Sequence, residues 1–249
     1  MGSLSTCVLL LLLAVSTPVF SRTDRIIGGE IVEPNTIKYQ VSLRTENGVH
    51  FCGGALIRAQ WVLSVAHCER RNMQVVLGEH DLYSVGPAEQ TFTITEIFLN
   101  NFNPSTFQND IMLLKLNRKA VLNAYVQPVA LPNGNPMPLY NTECTVSGWG
   151  VTHLYSYTLS QFLRAAKVEV VQCPFVYVYY GWTNSKNLCA GFTDSPKDSC
   201  RGDSGGPLVC DGYLEGIVSW GIGCGIRRFP GVYTNIESFM KWISAIIDD

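Results

Sequence analysis

The feature that most restricts the fold of this chain is the shortness of its apolar runs. Residues alternate, or cluster as β-branched and aromatic types, over only a few positions before Gly, Pro or Asn interrupts them. Such runs are Tyr39–Leu43, Phe51–Ile57, Trp61–Val65, Met73–Leu77, Thr91–Phe98, Ile111–Leu116, Leu163–Val171, Gly206–Cys210, Leu214–Trp220 and Gly231–Thr234. Many short strands with frequent turn signals predict an all-β barrel or sandwich. One segment has a helical period instead. Ile236, Phe239, Ile243, Ile246 and Ile247 fall on one face, which predicts a packed C-terminal helix. The strongest internal punctuation, Leu131 to Pro138, lies near the middle and separates two halves.

With 249 residues the chain can bury a sizeable core. It is 47% hydrophobic and only 15% charged, which argues against disorder. The formal net charge is −2 and no basic run occurs, so the chain lacks the positive footprint that nucleic-acid binding requires.

The apolar block Val8–Val15 is too short to span a bilayer, which takes about 20 residues. Small residues follow it at signal-peptidase spacing, so residues 1–21 read as a secretory signal cut after Ser16 or Ser21. Secretion gives the nine cysteines a meaning. Cleavage discards Cys7 and leaves an even set, which in an oxidising compartment implies disulfides. Zinc is the competing reading of a Cys/His set, but no paired C-x-x-C units occur.

Gly202-Asp203-Ser204-Gly205-Gly206 matches G-x-S-x-G, a nucleophile pattern. The four histidines, 50, 67, 80 and 153, all precede Ser204, which excludes the order Ser, acid, His. The only Asp before His67 is Asp24, in the expected prosegment, which disfavours the order Asp, His, Ser. His, Asp, Ser remains. A serine nucleophile needs a base to take its proton and a carboxylate to orient that base. His67 lies in Ser64-Val-Ala-His-Cys68. Asp110 heads the apolar run Ile111–Leu116, where a carboxylate must find a partner. Asp81 is a rival in a more polar stretch.

Taken together these stretches resemble the chymotrypsin family of serine proteases, trypsin type. The resemblance rests on Ile26-Ile-Gly-Gly29, Phe51-Cys-Gly-Gly54, Trp61-Val-Leu-Ser-Val-Ala-His-Cys68 and Asn109-Asp-Ile-Met-Leu-Leu114. Further on it rests on Ser147-Gly-Trp-Gly150, Lys197-Asp-Ser-Cys-Arg-Gly-Asp-Ser-Gly-Gly-Pro207, Val218-Ser-Trp-Gly221 and Pro230-Gly-Val-Tyr233. It implies an all-β fold of two six-stranded antiparallel β-barrels, approximately residues 26–131 and 132–249, with a C-terminal α-helix.

The resemblance also implies roles. Ser204 is the nucleophile, His67 the general base and then acid, and Asp110 the orienting carboxylate. The N–H groups of Gly202 and Ser204 form the oxyanion hole, with Gly202 expected to leave room for substrate. Asp198 lies at the base of the specificity pocket beside Ser199, with Gly221 and Gly231 as its small walls. This implies cleavage after Arg or Lys. Ser219 and Trp220 flank the substrate backbone, and Phe107 and Tyr177 line neighbouring positions. Residues 22–25 form an activation segment, and cleavage after Arg25 frees Ile26 to pair with Asp203. His50 matches a partner of that aspartate before activation.

Further implications are the disulfides Cys52–Cys68, Cys144–Cys210, Cys173–Cys189 and Cys200–Cys224. Val32 and Glu237 stand where many trypsins carry further cysteines. Glu79, Asp81, Ser84 and Glu89 resemble a calcium loop, so a structural Ca2+ is an expectation, while the chemistry requires no cofactor. The implied protein is a secreted, monomeric, digestive-type endopeptidase. Its partners would be protein and peptide substrates and proteinaceous protease inhibitors, with neither nucleic acid nor membrane. A non-catalytic binding protein on the same fold, or a protease of altered specificity, is the alternative. The run Phe175–Trp182 is unusually aromatic; inward packing is the expectation, and an exposed patch for a partner or substrate is the alternative.

Overall fold

The computed structural model describes residues 29–132, 134, 137–152, 158–191, 199–226 and 228–248. The expected signal peptide, the activation segment with Arg25 and Ile26, and Asp198 lie outside these residues.

Among the described residues there are thirteen strands, and twelve of them build two barrels. The first closes from β2 (Gln40–Arg44), β3 (His50–Arg58), β4 (Trp61–Ser64), β5 (Gln74–Leu77), β6 (Gln90–Leu99) and β7 (Met112–Leu116). Its order is β2-β3-β4-β7-β6-β5, antiparallel throughout. The second contains β8 (Glu143–Gly148), β9 (Arg164–Val171), β10 (Asn187–Gly191), β11 (Pro207–Cys210), β12 (Tyr213–Trp220) and β13 (Gly231–Asn235). Pairing of β8 with β9 closes it, and the short β1 (Glu30–Ile31) adds to β9. Closure removes the unpaired edges that an open sheet would expose. Helix α1 is Phe175–Tyr179 and α2 is Met240–Ile247.

The apolar runs become the barrel walls. Register pairs such as Leu63↔Leu113 and Val41↔Leu77 put fully buried side chains together. Each such side chain contributes roughly 1.5–3 kcal/mol relative to exposure. Ile236, Phe239 and Ile243 are buried and share the core of the first barrel with Leu56 and Val129. The C-terminal period therefore fastens the end of the chain onto the N-terminal barrel.

Ten strand expectations are met to within a residue or so, while β1, β8 and β10 are new. Strands β8 and β10 are rich in Ser, Gly, Cys and Ala, which have little intrinsic strand preference. They are strands because each pairs on both sides. All four expected disulfides are present. Cys144 and Cys210 face each other directly across β8 and β11.

Candidate active site

The two barrels bring His67, Asp110 and Ser204 to one cleft. His67 sits in a single 3-10 turn, Ala66–Cys68, just after β4, and the disulfide Cys52–Cys68 ties that turn to β3. Asp110 precedes β7 in a turn where Asn109 adopts φ 53°, a left-handed conformation that Asn tolerates. Both come from the first barrel. Ser204 comes from the loop before β11 in the second, and its carbonyl accepts a 2.7 Å bond from Gly53 N of the first.

Asp110 is 1% exposed, and both carboxylate oxygens are engaged. Oδ1 accepts from His67 N at 2.9 Å, and Oδ2 accepts from His67 Nδ1 at 2.8 Å and Ser219 Oγ at 2.6 Å. Thr234 Oγ1 donates to its backbone carbonyl at 2.7 Å. Because a carboxylate can only accept, Nδ1 of His67 carries the proton and Nε2 is left with a free lone pair. Asp81, the rival acid, lies in a loop where it accepts from Tyr83 N, Ser84 Oγ and Gln161 Nε2. The structure pairs Asp110, not Asp81, with His67.

The cleft holds about 360 Å3, and His67, Phe107, Ser199, Ser204, Trp220, Gly221 and Gly231 contribute to its walls. The Phe107 ring packs 5.5 Å from that of His67. A Cβ on Gly221 would lie 3.9 Å from Gly231 Cα, so both walls stay low. Ser199 reaches Tyr233 Oη at 3.4 Å. The Ser219 hydroxyl donates to Asp110, and Ser219 lines the same cleft. Disulfide Cys200–Cys224 closes the loops on either side of the cleft.

Gly202 has φ +94°, which L residues rarely adopt. A Cβ there would meet Leu159 Cδ2 at 2.5 Å. The positive φ thus calls for glycine whatever the space around it, and Leu159 would also have to move for a side chain. Among the described residues, no acceptor takes up the N–H of Gly202 or Ser204. These two donors are available to an oxyanion.

Asp203 is fully buried between Gly148 and Gly150, where a Cβ on either would come within 2.2 Å of a carboxylate oxygen. It accepts from Gly150 N at 2.7 Å and Cys200 N at 2.9 Å. Burial pushes its carboxyl up to about 6 against these two bonds. The cradle is the physical meaning of Ser147-Gly-Trp-Gly150, a stretch whose role sequence reasoning did not extract. His50 does not bond Asp203 directly. Its Nε2 donates to Gly202 O at 3.1 Å, and its Nδ1 faces Ser42 Oγ at 2.8 Å. Burial holds His50 down at about 4, so it is neutral and Nδ1 accepts from Ser42.

The expected calcium ligands do not fit the ion. Both oxygens of Glu79 are engaged, one by His80 N at 2.8 Å and the other by the Arg44 guanidinium. Glu89 accepts from Gly86 N, and the backbone oxygen of Asp81, expected with that of Ser84 to complete the ligand set, accepts from Ser84 N at 3.1 Å. Among the described residues, the Cys/His set close enough to hold a metal is Cys52, His67 and Cys68, and its cysteines form a disulfide. In the aromatic run only Tyr177 is fully buried, in contact with Trp220 at 5.1 Å and Phe229 at 6.2 Å. Phe175, Val178, Tyr179, Tyr180 and Trp182 are exposed, contrary to the expected inward packing. Phe175 and Tyr179, four residues apart, share one face of α1, and their rings lie 5.7 Å apart on the outside.

Comparison with known proteins agrees with this geometry. The family model described as Trypsin matches residues 26–243. Trypsin I-P1 of Gallus gallus is 45% identical over 88% of this chain and 88% of its own length. Cationic trypsin-3 of Rattus norvegicus is 44% identical over 94% of each, and Serine protease 1 of Homo sapiens 42% over 94% of each. The chain therefore belongs to the trypsin family, and is a trypsin-like serine endopeptidase built on two closed β-barrels.

Proposed function

We propose that this protein is secreted as a precursor, is activated by cleavage after Arg25, and then hydrolyses peptide bonds that follow Arg or Lys. The observation that carries the reading is the buried Asp110 carboxylate 2.8 Å from His67 Nδ1, in the same cleft as Ser204. His67 Nε2 takes the Ser204 proton as Oγ attacks the substrate carbonyl. The oxyanion forms against the N–H groups of Gly202 and Ser204, each such donor contributing roughly 3–4 kcal/mol to the transition state. His67 then protonates the leaving amine, and water repeats the sequence to release the acyl-enzyme. The chemistry requires no cofactor.

Asp198 matches the family position whose charge selects Arg and Lys, because a carboxylate enclosed in a narrow pocket gains most from a cationic partner. Ser199, Gly221 and Gly231 shape the channel to it, and Ser219, Trp220 and Phe107 border the substrate. The precursor cleaved after Arg25 is to be assayed on matched peptides ending in Arg, Lys, Phe or Ala. Turnover of Arg and Lys peptides alone is expected, with Asp198→Ser losing that preference at least a hundredfold. Turnover of Phe alone would remove the assigned role of Asp198.

Cleavage frees the ammonium of Ile26, which pairs with Asp203. Before it, the carboxyl of Asp203 stands at about 6, above its ordinary value near 3.9. A raised acid favours the folded state below the unfolded value, and that contribution is lost as pH rises through about 6. Because the neutral, buried His50 gains stability over the same range, the effect is read as a difference: relative to the Asp203→Asn version, the Ser204→Ala precursor should lose stability to urea between about pH 4 and 6. Equal pH dependence in the two proteins would contradict the assignment.

A further inference from the structure

The loop that resembles a calcium site already contains a cation, supplied by the chain itself. Arg44 ends β2 at a place where the β2–β3 register shifts between Leu43 and Arg44. A bulge of this kind re-aims the neighbouring side chain. Here it directs the guanidinium to Glu79, from a strand separate from the loop. The ion pair is nearly closed to water, with the Arg44 side chain 14% and the Glu79 side chain 0% exposed. Burial lowers the pKa of the Arg44 guanidinium from its ordinary value, and the negative charge of Glu89, at the far end of the loop, opposes that shift. Glu79 and Glu89 are the two carboxylates that would cap a metal ion; Glu79 pairs with the guanidinium instead, and Glu89 accepts from Gly86 N. A buried guanidinium beside Glu79 would also repel a divalent ion, since like charges at a few ångströms in a low-dielectric site interact strongly.

We propose that Arg44 occupies the cation position of the 79–89 loop in place of a metal ion, so that the fold of this enzyme is independent of calcium. The substitution also connects the loop to the catalytic turn. Arg44 Nε donates to Ser42 Oγ at 3.3 Å, Ser42 bonds His50, and His50 bonds the carbonyl of Gly202.

The test uses the mature chain carrying Ser204→Ala, which prevents self-digestion. Its Tm is measured by calorimetry in chelator and in millimolar calcium, alone and with Arg44→Met, which keeps the apolar stem and removes the charge. The parent should show the same Tm in both buffers and no calcium uptake in titration calorimetry. Arg44→Met should lose on the order of 10 °C in chelator, because a buried carboxylate is left without its partner. Millimolar calcium should restore much of that loss, and titration should show one bound ion. A parent Tm that rises with calcium, and no longer does so in Glu79→Gln, would overturn the proposal. So would an Arg44→Met protein as stable as its parent, or one that calcium does not rescue. Should Arg44→Met not fold in either buffer, the double variant Arg44→Met, Glu79→Gln removes the stranded charge. Recovery of folding supports the proposal, and continued failure overturns it.

Discussion

Replacing Ser204 by Ala should lower kcat on an Arg-terminated peptide by about six orders of magnitude, the scale of nucleophile loss in serine peptidases generally. The structure explains why so small a change should do so and leave the fold intact. The Ser204 carbonyl is held by Gly53 N, and the neighbouring Gly205 N donates to Val218 O at 2.8 Å. Neither bond involves the Ser204 hydroxyl. Asp203 and the disulfide Cys200–Cys224 fix the same turn from beneath. The variant should therefore keep its Tm within about 1 °C of the parent, a surface-like effect. Substrate binding should also persist, since the pocket and oxyanion donors remain. A kcat reduced by less than about a hundredfold would show that another group supplies the nucleophile.

Asp110→Asn should lower kcat by about four orders of magnitude, a figure taken from the template triad of this same family. The reason can be traced atom by atom. Oδ1 of Asp110 receives His67 N, so an Asn carbonyl oxygen is best placed there. The amide nitrogen then faces Nδ1 of His67 and Ser219 Oγ, where Oδ2 now accepts two bonds. An NH2 group cannot accept from Nδ1–H. The imidazole must shift its proton to Nε2, which then has no lone pair for the Ser204 proton. Stability should fall modestly, because the amide can still donate to Ser219 and to Nδ1. KM should change little. NMR of the imidazole nitrogens would report the tautomer directly. A proton retained on Nδ1 in Asp110→Asn, or a kcat near that of the parent, would refute this account of Asp110.

Most of the frame was legible before any coordinates. Alternation over a few residues reports which face of a strand is buried, so ten strands and the C-terminal helix could be located from period alone. The positions of the histidines and aspartates along the chain excluded one of the three known triad arrangements and disfavoured a second without structural help. What escaped was set by partners distant along the chain. Strands β8 and β10 have weak local preference and exist because neighbours pair with them on both sides. The aromatic run could not be divided locally into inward and outward members. Only the axis of α1 sends Tyr177 into the core and leaves Phe175 and Tyr179 outside.

The calcium loop shows the same division most clearly. Read along the chain, Glu79, Asp81, Ser84 and Glu89 offer oxygens at spacings that suit an ion. Arg44 belongs to a different element and enters the loop only through barrel closure and a register shift. Likewise Gly148 and Gly150 have no evident task until Asp203 folds between them. By itself, the amino-acid sequence determined the strand pattern, the disulfide-forming set and the chemical types of the three active-site residues, because these depend on local periodicity and on residue identity. Tertiary structure alone decided which cation meets Glu79 and which glycines enclose Asp203, and it brought Asp110, the carboxylate expected from the sequence, to His67. Those outcomes depend on distances between residues far apart in the chain, and packing of the two barrels sets them.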